Sequence, residues 1–247
     1  MNKLETALAI VILLATAASA PVRAAARQAP GDATIVDDDT GAEGDEHAAA
    51  LPASERALLS GFETPTVAAT PAANLDPQHV VPADLLRDAL AYYQQNAARI
   101  ANKDYLTVVD FSRTSTQPRM FIVDMKSGAV QAVHVAHGSG SDPRNTGRAT
   151  VFSNEDGSNC SSLGYYLTAE TYDGKHGYSC RMDGLSTTNS NVRERAVVIH
   201  GADYVHDSDV KQGRSWGCFA LAMTMRTSVI DRLKGGSLIY AGRSQGQ

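Results

Sequence analysis

Short apolar runs separated by turn-forming residues occupy the second half of the chain, from about residue 104 onward. The runs are rich in Val, Ile, Tyr and Phe, and Gly, Asn, Asp and Ser lie between them, which is typical of β-strands joined by turns. Lys126–Gly128 between two of the runs predicts a hairpin turn. The runs are YLTVVDFS (105–112), RMFIVDM (119–125), AVQAVHVAHG (129–138), LGYYLTAET (163–171) and RAVVIHG (195–201).

Two segments show helical rather than alternating periodicity. Apolar residues recur on one face between about 82 and 101, which predicts a helix that packs on the domain after it. A shorter helix is predicted near 224–234, because Gly235–Gly236 would end it, and SLIYAG (237–242) predicts a final strand. The fold class expected is therefore mainly β, with one helix before the β-domain and one short late helix.

The first 26 residues have the pattern of a signal peptide. Lys3 precedes an apolar run from Leu8 to Ala18, and small residues follow it. The run is shorter than the roughly 20 residues that a membrane-spanning helix needs, so we expect no stable membrane insertion after cleavage. An uncleaved N-terminal anchor is the alternative. Either interpretation predicts that the rest of the chain is periplasmic or secreted.

The segment at 27–75 is rich in Ala, Pro and acidic residues and predicts a flexible linker, because it has too little apolar surface to offset the cost of ordering. Residues 1–102 hold 6 basic and 13 acidic side chains, whereas residues 103–247 hold 16 and 14. The folded part therefore lacks the basic excess of a nucleic-acid-binding protein. The predicted organisation is a signal peptide at 1–26, a linker at 27–75, a helical lead-in at 76–102 and a β-rich domain at 103–243.

The chain contains three cysteines, an odd number for an exported protein. Cys160 and Cys180 lie 20 residues apart with turn-forming residues between them, which predicts a disulfide. Such a bridge would stabilise the fold by about 3 kcal/mol, mostly by restricting the unfolded chain. Two free core thiols are the alternative. Cys218 is then the odd cysteine.

Cys218 lies in the sequence GRSWGCFAL (213–221) and is the candidate nucleophile. A nucleophilic cysteine needs a base and hydrogen-bond donors for the developing oxyanion. His200, at the end of an apolar run and directly before Gly201, is the candidate base. The backbone around Trp216 and Gly217 is the candidate for oxyanion binding. A buried cysteine in an ordinary turn and a structural histidine are the alternatives.

Two motifs together, VIHGADYV (198–205) and GRSWGC (213–218), resemble the L,D-transpeptidase catalytic-domain family, also called YkuD-type. In that family's motif, a His-Gly pair is followed by a loop and then by Ser-His-Gly-Cys. The resemblance runs from about 104 to 243. Further stretches that are similar to one branch of the family are VAHGSGS (135–141), TVFSNEDGS (150–158), SSLGYYLT (161–168), GKHG (174–177) and RMDGL (181–185).

The resemblance implies a mixed β-sandwich and acyl transfer on peptidoglycan stem peptides, with no cofactor or metal. Cys218 would attack the carbonyl at the L-centre of a diamino acid, usually meso-diaminopimelate. The terminal D-alanine would depart, and a thioester would form on Cys218. A second stem peptide's side-chain amine would resolve the thioester and give a 3-3 cross-link. His200 would act first as base and then as acid. The resemblance also implies acylation of Cys218 by carbapenems. With water as acceptor the enzyme would be an L,D-carboxypeptidase.

Three positions depart from the family's motif. Trp216 replaces the usual histidine, Ala220 stands where arginine is usual, and Phe219 stands where the tryptophan-containing branch would have proline. Arg214 is the candidate to take over orientation of a substrate carboxylate. A surface salt bridge is the alternative role for Arg214.

Several polar residues near the motifs are candidates for support. Ser215 is expected to shape the cysteine turn or orient His200, and Gly201, Asp203 and Tyr204 are expected to support His200. His137, at another strand end, is a possible pocket residue. The segment at about 171–194 is expected to lie over the cleft as a lid.

Two further classes of function compete with acyl transfer. A zinc-dependent cell-wall peptidase would draw ligands from five histidines and from Asp203 or Asp207. No HExxH motif is present, and in one strand two histidines three apart would face opposite sides. A non-catalytic wall-binding module is the other possibility, although binding alone needs neither His200 nor Cys218. The five histidines are His134, His137, His176, His200 and His206.

Overall fold

The computed structural model describes residues 74–246. The signal peptide predicted at 1–26 and the predicted linker from 27 to 73 lie outside the described residues. Within 74–246 there are two α-helices, α1 (Ala83–Gln95) and α2 (Met223–Leu233), and a short 3-10 helix at Ser139–Ser141. Neither α-helix of this part of the chain has the length and apolar character required to cross a bilayer.

Ten strands supply more of the described chain than the two α-helices do, so the prediction of a mainly β domain is confirmed. Most are rich in the branched and aromatic residues that fit a pleated surface. The strands are β1 (Tyr105–Asp110), β2 (Met120–Asp124), β3 (Val130–Val133), β4 (His137–Gly138), β5 (Gly164–Gly174), β6 (Gly177–Gly184), β7 (Val198–Ala202), β8 (Arg214–Ser215), β9 (Phe219–Ala222) and β10 (Leu238–Gly242).

Eight strands form one mixed sheet, in the order β3-β2-β1-β10-β5-β6-β7-β9. The pairs β1–β10 and β7–β9 are parallel, and the other pairs are antiparallel. Strands β4 and β8 form a separate parallel pair. A hydrogen bond of 2.9 Å from the Ala136 N–H to the Ala220 carbonyl links this pair to β9 at the edge of the large sheet.

Two apolar clusters hold the helices on the sheet. Helix α2 contributes Val229, Ile230 and Leu233 to the larger cluster, which includes Ile199 of β7 and Phe219 of β9. Helix α1 packs with strands β1, β2 and β10 in the second cluster. Since α2 follows β9 directly and packs on β7, the larger cluster fixes β7, which carries His200, and β9, which follows Cys218.

The predicted helices and turns are present. Helix α1 (Ala83–Gln95) is shorter than the helix predicted at about 82–101. Gly128 forms the predicted hairpin turn with φ 76°, and Gly235 and Gly236 end α2 with φ values of 79° and 96°. These are left-handed conformations that glycine adopts without a steric penalty. The segment at about 171–194, predicted as a lid, begins with the end of β5 and all of β6, both within the large sheet.

Candidate active site

His200 lies on β7, every residue of which is buried. Its Nδ1 is 3.0 Å from the carbonyl oxygen of Gly201. Because a carbonyl can only accept, Nδ1 carries the proton in this arrangement and Nε2 of the neutral ring is the proton acceptor. The main chain of the next residue therefore sets the tautomer that a general base requires.

Cys218 directly precedes β9, which runs parallel to β7, the strand of His200. Ile199 pairs with Phe219, and His200 pairs with Ala220. Because side chains alternate along a strand, Cys218 and Ala220 face the side of the sheet that His200 faces. The sulfur is buried, with 5% of the residue exposed, and lies 3.7 Å from the Ala196 carbonyl oxygen. The predicted base therefore lies on β7, and the predicted nucleophile lies just before the neighbouring strand β9.

The turn before Cys218 depends on a glycine. Gly217 has φ 120°, and a Cβ added there would lie 2.7 Å from the Cys160 carbonyl oxygen. Ser215 Oγ accepts from the Gly217 N–H at 3.2 Å and donates to the Cys218 carbonyl at 2.8 Å. Ser215 therefore shapes the turn, which is one of the two roles expected of it, while Trp216 lies half-buried between these residues.

The hydrogen bond to Ser215 also bears on the oxyanion prediction. The Gly217 N–H, predicted to face a substrate oxygen, is already engaged by Ser215 Oγ. The opposite side of the turn is held by Ser161, whose hydroxyl donates to the Gly217 carbonyl at 3.3 Å. Arg195 donates to the Cys160 carbonyl at 2.7 Å and so fixes the chain that lies against Gly217.

Arg214 lies on β8 beside His137 of β4. Its Nη1 donates to the Asp142 carbonyl oxygen, so part of the guanidinium holds the loop after β4 rather than facing a substrate. Asp142 in turn accepts from the Thr146 and Gly147 N–H groups at 2.9 and 2.6 Å. Although burial opposes it, these backbone hydrogen bonds lower the pKa of Asp142.

His137 is fully buried in a charged network rather than in an open pocket. Nη2 of the buried Arg119 donates to His137 Nδ1 at 2.7 Å, and His137 Nε2 faces Asp142 Oδ2 at 3.5 Å. Burial and the charge of Arg119 lower the pKa of His137 to about 3, so its ring is neutral. Burial also lowers the pKa of Arg119 to about 9, which leaves it a cation at neutral pH.

Arg119 and Asp142 did not emerge from the sequence as functional residues. An arginine at the start of an apolar strand has the pattern of a surface residue, and nothing in the sequence near Arg119 distinguishes it. The structure instead buries its guanidinium, which donates from Nε and Nη2 to the Val135 carbonyl at 3.0 and 2.7 Å.

His176, predicted only as a zinc ligand, reaches the candidate base. It lies in the turn between β5 and β6, and its ring centroid is 4.5 Å from that of His200, with 32° between the ring planes. The sequence signal was the GKHG stretch, whose flanking glycines indicate a tight turn. Its position against His200 depends on the tertiary fold.

The remaining support candidates lie on the loop after β7. Asp203 is exposed, so the Gly201 carbonyl rather than this carboxylate is the group that orients His200. Tyr204 is buried and its carbonyl accepts from the Gly213 N–H at 2.8 Å, which closes the loop between β7 and β8. Gly201 lies against the start of α2, where a Cβ would be 2.7 Å from Met223 Sδ.

Of the histidines of the zinc alternative, His176 and His200 are in ring contact, while His134 and His206 have other partners. His134 Nε2 is 3.1 Å from Asp209, and His134 Nδ1 is 3.8 Å from Asp207. His206 uses its backbone N–H to donate to Gln212. Across residues 74–246, no group of three or more potential metal-ligating side chains forms a cluster that could hold a metal ion.

The predicted disulfide between Cys160 and Cys180 is wrong, because both residues are free thiols in the structure. Cys180 lies on β6 opposite Ile199 and belongs to the larger core cluster, and its sulfur contacts the Ala169 carbonyl at 3.7 Å. Cys160 instead lies against the glycine-rich segment after β4, where a Cβ at Gly140 would be 2.8 Å from its sulfur. Burial raises the pKa of Cys180 to about 11.

Comparison with known proteins gives one match to a protein family. A family model described as the L,D-transpeptidase catalytic domain matches residues 77–241, about two-thirds of the chain. This range begins before α1 and ends in β10, so it includes the whole site. A search of curated protein sequences finds no match.

Solved structures with a similar chain include two mycobacterial proteins. An L,D-transpeptidase from Mycobacterium smegmatis is 14% identical, with a TM-score of 0.35 over 56% of this chain and 58% of that chain. L,D-transpeptidase 1 from Mycobacterium tuberculosis is 12% identical, with a TM-score of 0.31 over 56% of this chain and 60% of that chain. The chain thus spans about three-fifths of the length of these solved structures.

Proposed function

Because the chain belongs to the L,D-transpeptidase catalytic-domain family, we propose that it is a cysteine acyltransferase that acts on peptidoglycan stem peptides. The observation that supports the proposal is the parallel pairing of β7 with β9, in which His200 is opposite Ala220, two residues after Cys218. The Gly201 carbonyl holds His200 in the tautomer that accepts a proton at Nε2.

In the first half-reaction, His200 Nε2 takes the thiol proton and the Cys218 sulfur attacks the carbonyl at the L-centre of the diamino acid. The carbonyl becomes a tetrahedral oxyanion, for which the turn at Trp216 is the proposed donor. When the oxyanion collapses, the peptide C–N bond breaks and the His200 imidazolium gives its proton to the departing D-alanine amine. The product is a thioester on Cys218.

In the second half-reaction, an acceptor amine attacks the thioester carbonyl and His200 takes the amine proton. The C–S bond then breaks, the thiol is regenerated, and a 3-3 cross-link joins two stem peptides. If water is the acceptor, the same steps release a tripeptide. We propose the amine as acceptor, with meso-diaminopimelate as its source, and the product analysis described below distinguishes the two.

The compartment follows from the predicted signal peptide. Peptidoglycan lies outside the cytoplasmic membrane, and residues 1–26 have the pattern of a cleaved export signal. We therefore propose that the mature protein works in the periplasm or is secreted. Appearance of the full-length chain in a cytoplasmic fraction, with its N-terminus intact, would contradict this.

The test of the nucleophile is intact-mass spectrometry after incubation with a carbapenem. Opening of the β-lactam ring has no leaving group, so wild type should gain the whole mass of one drug molecule. Cys218→Ala should gain none, and His200→Ala should react at least about 100-fold more slowly, because the thiol then lacks its base.

Cys180→Ala is the matched control, because it removes a buried thiol whose pKa is raised to about 11. This variant should form the adduct like wild type. An adduct that persists in Cys218→Ala would contradict the proposal, and so would a wild-type protein that forms no adduct. Incubation with a disaccharide tetrapeptide, followed by mass analysis, should then give the transpeptidase product, a dimer that has lost one D-alanine, from the donor stem. A monomeric tripeptide alone would indicate a carboxypeptidase.

A further inference from the structure

We propose that His176 is a positioning residue for His200, which holds the catalytic imidazole by contact between the two rings. The inference rests on the proposed function, since it assigns a task to the base of that reaction. It adds a residue from the β5–β6 hairpin to a site otherwise built from β7 and the turn before β9.

The ring contact is the first observation. A centroid separation of 4.5 Å with 32° between the planes lies at the close end of the range in which aromatic rings attract each other. His200 is fully buried, so the face of its ring is covered by protein rather than by water. His176 supplies part of that cover.

The contact between the rings restricts the rotation of the His200 imidazole. The terminal torsion of a histidine side chain is broad and roughly two-fold, so a contact on the face of the ring adds to the hold that a hydrogen bond has on its edge. The bond from Nδ1 to the Gly201 carbonyl fixes one edge of the His200 ring. A second ring against its face restricts rotation of the imidazole about this torsion.

The hairpin itself is fastened, so that His176 presents a fixed ring. Arg226 of α2 donates from Nη1 to the His176 carbonyl at 3.5 Å. Gly177 has φ 69°, a left-handed conformation that glycine adopts without a steric penalty, and the guanidinium of Arg226 lies against it. The Tyr178 hydroxyl donates to Asp231 at 2.9 Å and ties the next residue to the same helix.

The turn before Cys218 contains no histidine that could contact His200. Trp216 stands where the family's motif has a histidine, so the turn before Cys218 brings no imidazole to the site. The structure brings a second imidazole from the GKHG stretch instead. The inference concerns this chain's own arrangement and is independent of which acceptor resolves the thioester.

The test compares carbapenem acylation rates in four variants, measured by intact mass over time. His176→Ala and His176→Gln remove the ring, and both should acylate about fivefold to tenfold more slowly than wild type, the range expected for loss of one ring contact. His176→Phe keeps a ring and should stay within about twofold. Lys175→Ala, which changes the exposed neighbour in the same turn, is the matched control and should equal wild type.

A second readout separates positioning from a loss of stability. In ¹⁵N-labelled protein, His200 should show the Nδ1–H tautomer in wild type and in His176→Phe, and a tautomer mixture in His176→Gln. Wild-type acylation by both ring-free variants would overturn the inference, and so would His176→Phe reacting as slowly as His176→Gln. If wild type formed no adduct at all, the proposed function itself would fail, which is a different result.

Discussion

At the scale of the residue, Arg119 and His137 form a buried pair in which one partner is charged and the other neutral. The guanidinium donates to His137 Nδ1 at 2.7 Å, which requires that nitrogen to be unprotonated. Protonating His137 would put a second positive charge beside Arg119 in a site with no solvent contact. Since His137 pairs with Arg214 on β8, two residues before Trp216, acid should loosen the base of the nucleophile turn.

We expect the network to make the fold acid-sensitive. The pKa of His137 is lowered from 6.5 to about 3 on folding. Below pH 6.5, His137 therefore binds a proton in the unfolded chain but not in the folded chain. The contribution of His137 to the free energy of unfolding is therefore fully present above that pH. Below it, this contribution falls by about 1.4 kcal/mol per pH unit. Between about pH 7.5 and about pH 5, the expected loss from this one group is about 2 kcal/mol.

The measurement is urea unfolding at both pH values for wild type and His137→Gln. Glutamine can accept from Arg119 through its amide oxygen and does not titrate, so the variant should lose less stability on acidification. The difference between the two losses isolates His137 from other titrating groups. Equal losses in both proteins would contradict a buried neutral histidine.

Gly217 allows a second residue-scale prediction. Gly217→Ala combines a φ of 120° with a Cβ placed 2.7 Å from the Cys160 carbonyl, so the turn must move. A shift of about 1 Å at a reacting group can cost about 100-fold in rate, and we expect a loss of that order in carbapenem acylation.

Gly157→Ala is the comparison for this effect. Gly157 also has a left-handed conformation, with φ 69°, but a Cβ there meets nothing within 4 Å. It should lose roughly 1 kcal/mol of stability from backbone strain and keep its acylation rate. If both variants acylated at the same rate, the close approach of Cys160 to Gly217 would not control the nucleophile.

The residues that sequence could predict are those close together in the chain. Gly217, Ser215 and Cys218 lie within four positions, and the structure forms one hydrogen-bonded turn from them. Arg119 and His176 act through residues 18 and 24 positions away, so only the tertiary fold brings them to their partners.

At the scale of the element, α1 is attached to the sheet by stacked tyrosines. Tyr92 of α1 stacks on Tyr165 of β5 with ring centroids 3.8 Å apart, and Tyr165 stacks on Tyr240 of β10 at 4.6 Å. The Tyr165 hydroxyl donates to the Asp88 carbonyl of α1 at 3.3 Å. The middle ring of the stack therefore joins the helix to two strands.

Tyr165→Ala should lower the free energy of unfolding by about 2–3 kcal/mol, because it removes a half-buried ring and both stacking contacts. Tyr165→Phe keeps the ring and loses one hydrogen bond, so its cost should stay below about 1 kcal/mol. Urea unfolding of the two variants measures the difference. A similar loss in both would assign the attachment to the hydroxyl rather than to the stack.

Strands with long apolar runs were predictable, while β6 and β9 were not assigned as strands from sequence. Strand β6 alternates apolar Tyr178, Cys180 and Met182 with polar residues, a period-two signal that was available in the sequence. Its charges and flanking glycines favoured a loop. Strand β9 is short and follows the cysteine motif directly, so it was not separated from the turn.

At the scale of the whole molecule, the core rather than a covalent bridge holds the described domain together. The disulfide prediction depended on counting cysteines in an exported chain. Such a count does not tell in which direction each cysteine side chain points. Cys180 faces the cluster beneath α2, while Cys160 faces the glycine-rich segment after β4. Loop length alone therefore could not identify a bonded pair, although it correctly left Cys218 outside any bridge.

The half-buried indole at position 216 gives the protein a built-in optical reporter. Trp216 is the only tryptophan in the chain and lies two residues from the candidate nucleophile. Its emission therefore comes from a single place, beside the sulfur. Stopped-flow fluorescence of the unlabelled protein can thus follow the arrival of an acyl group and its departure, one turnover at a time, without a dye or a tag.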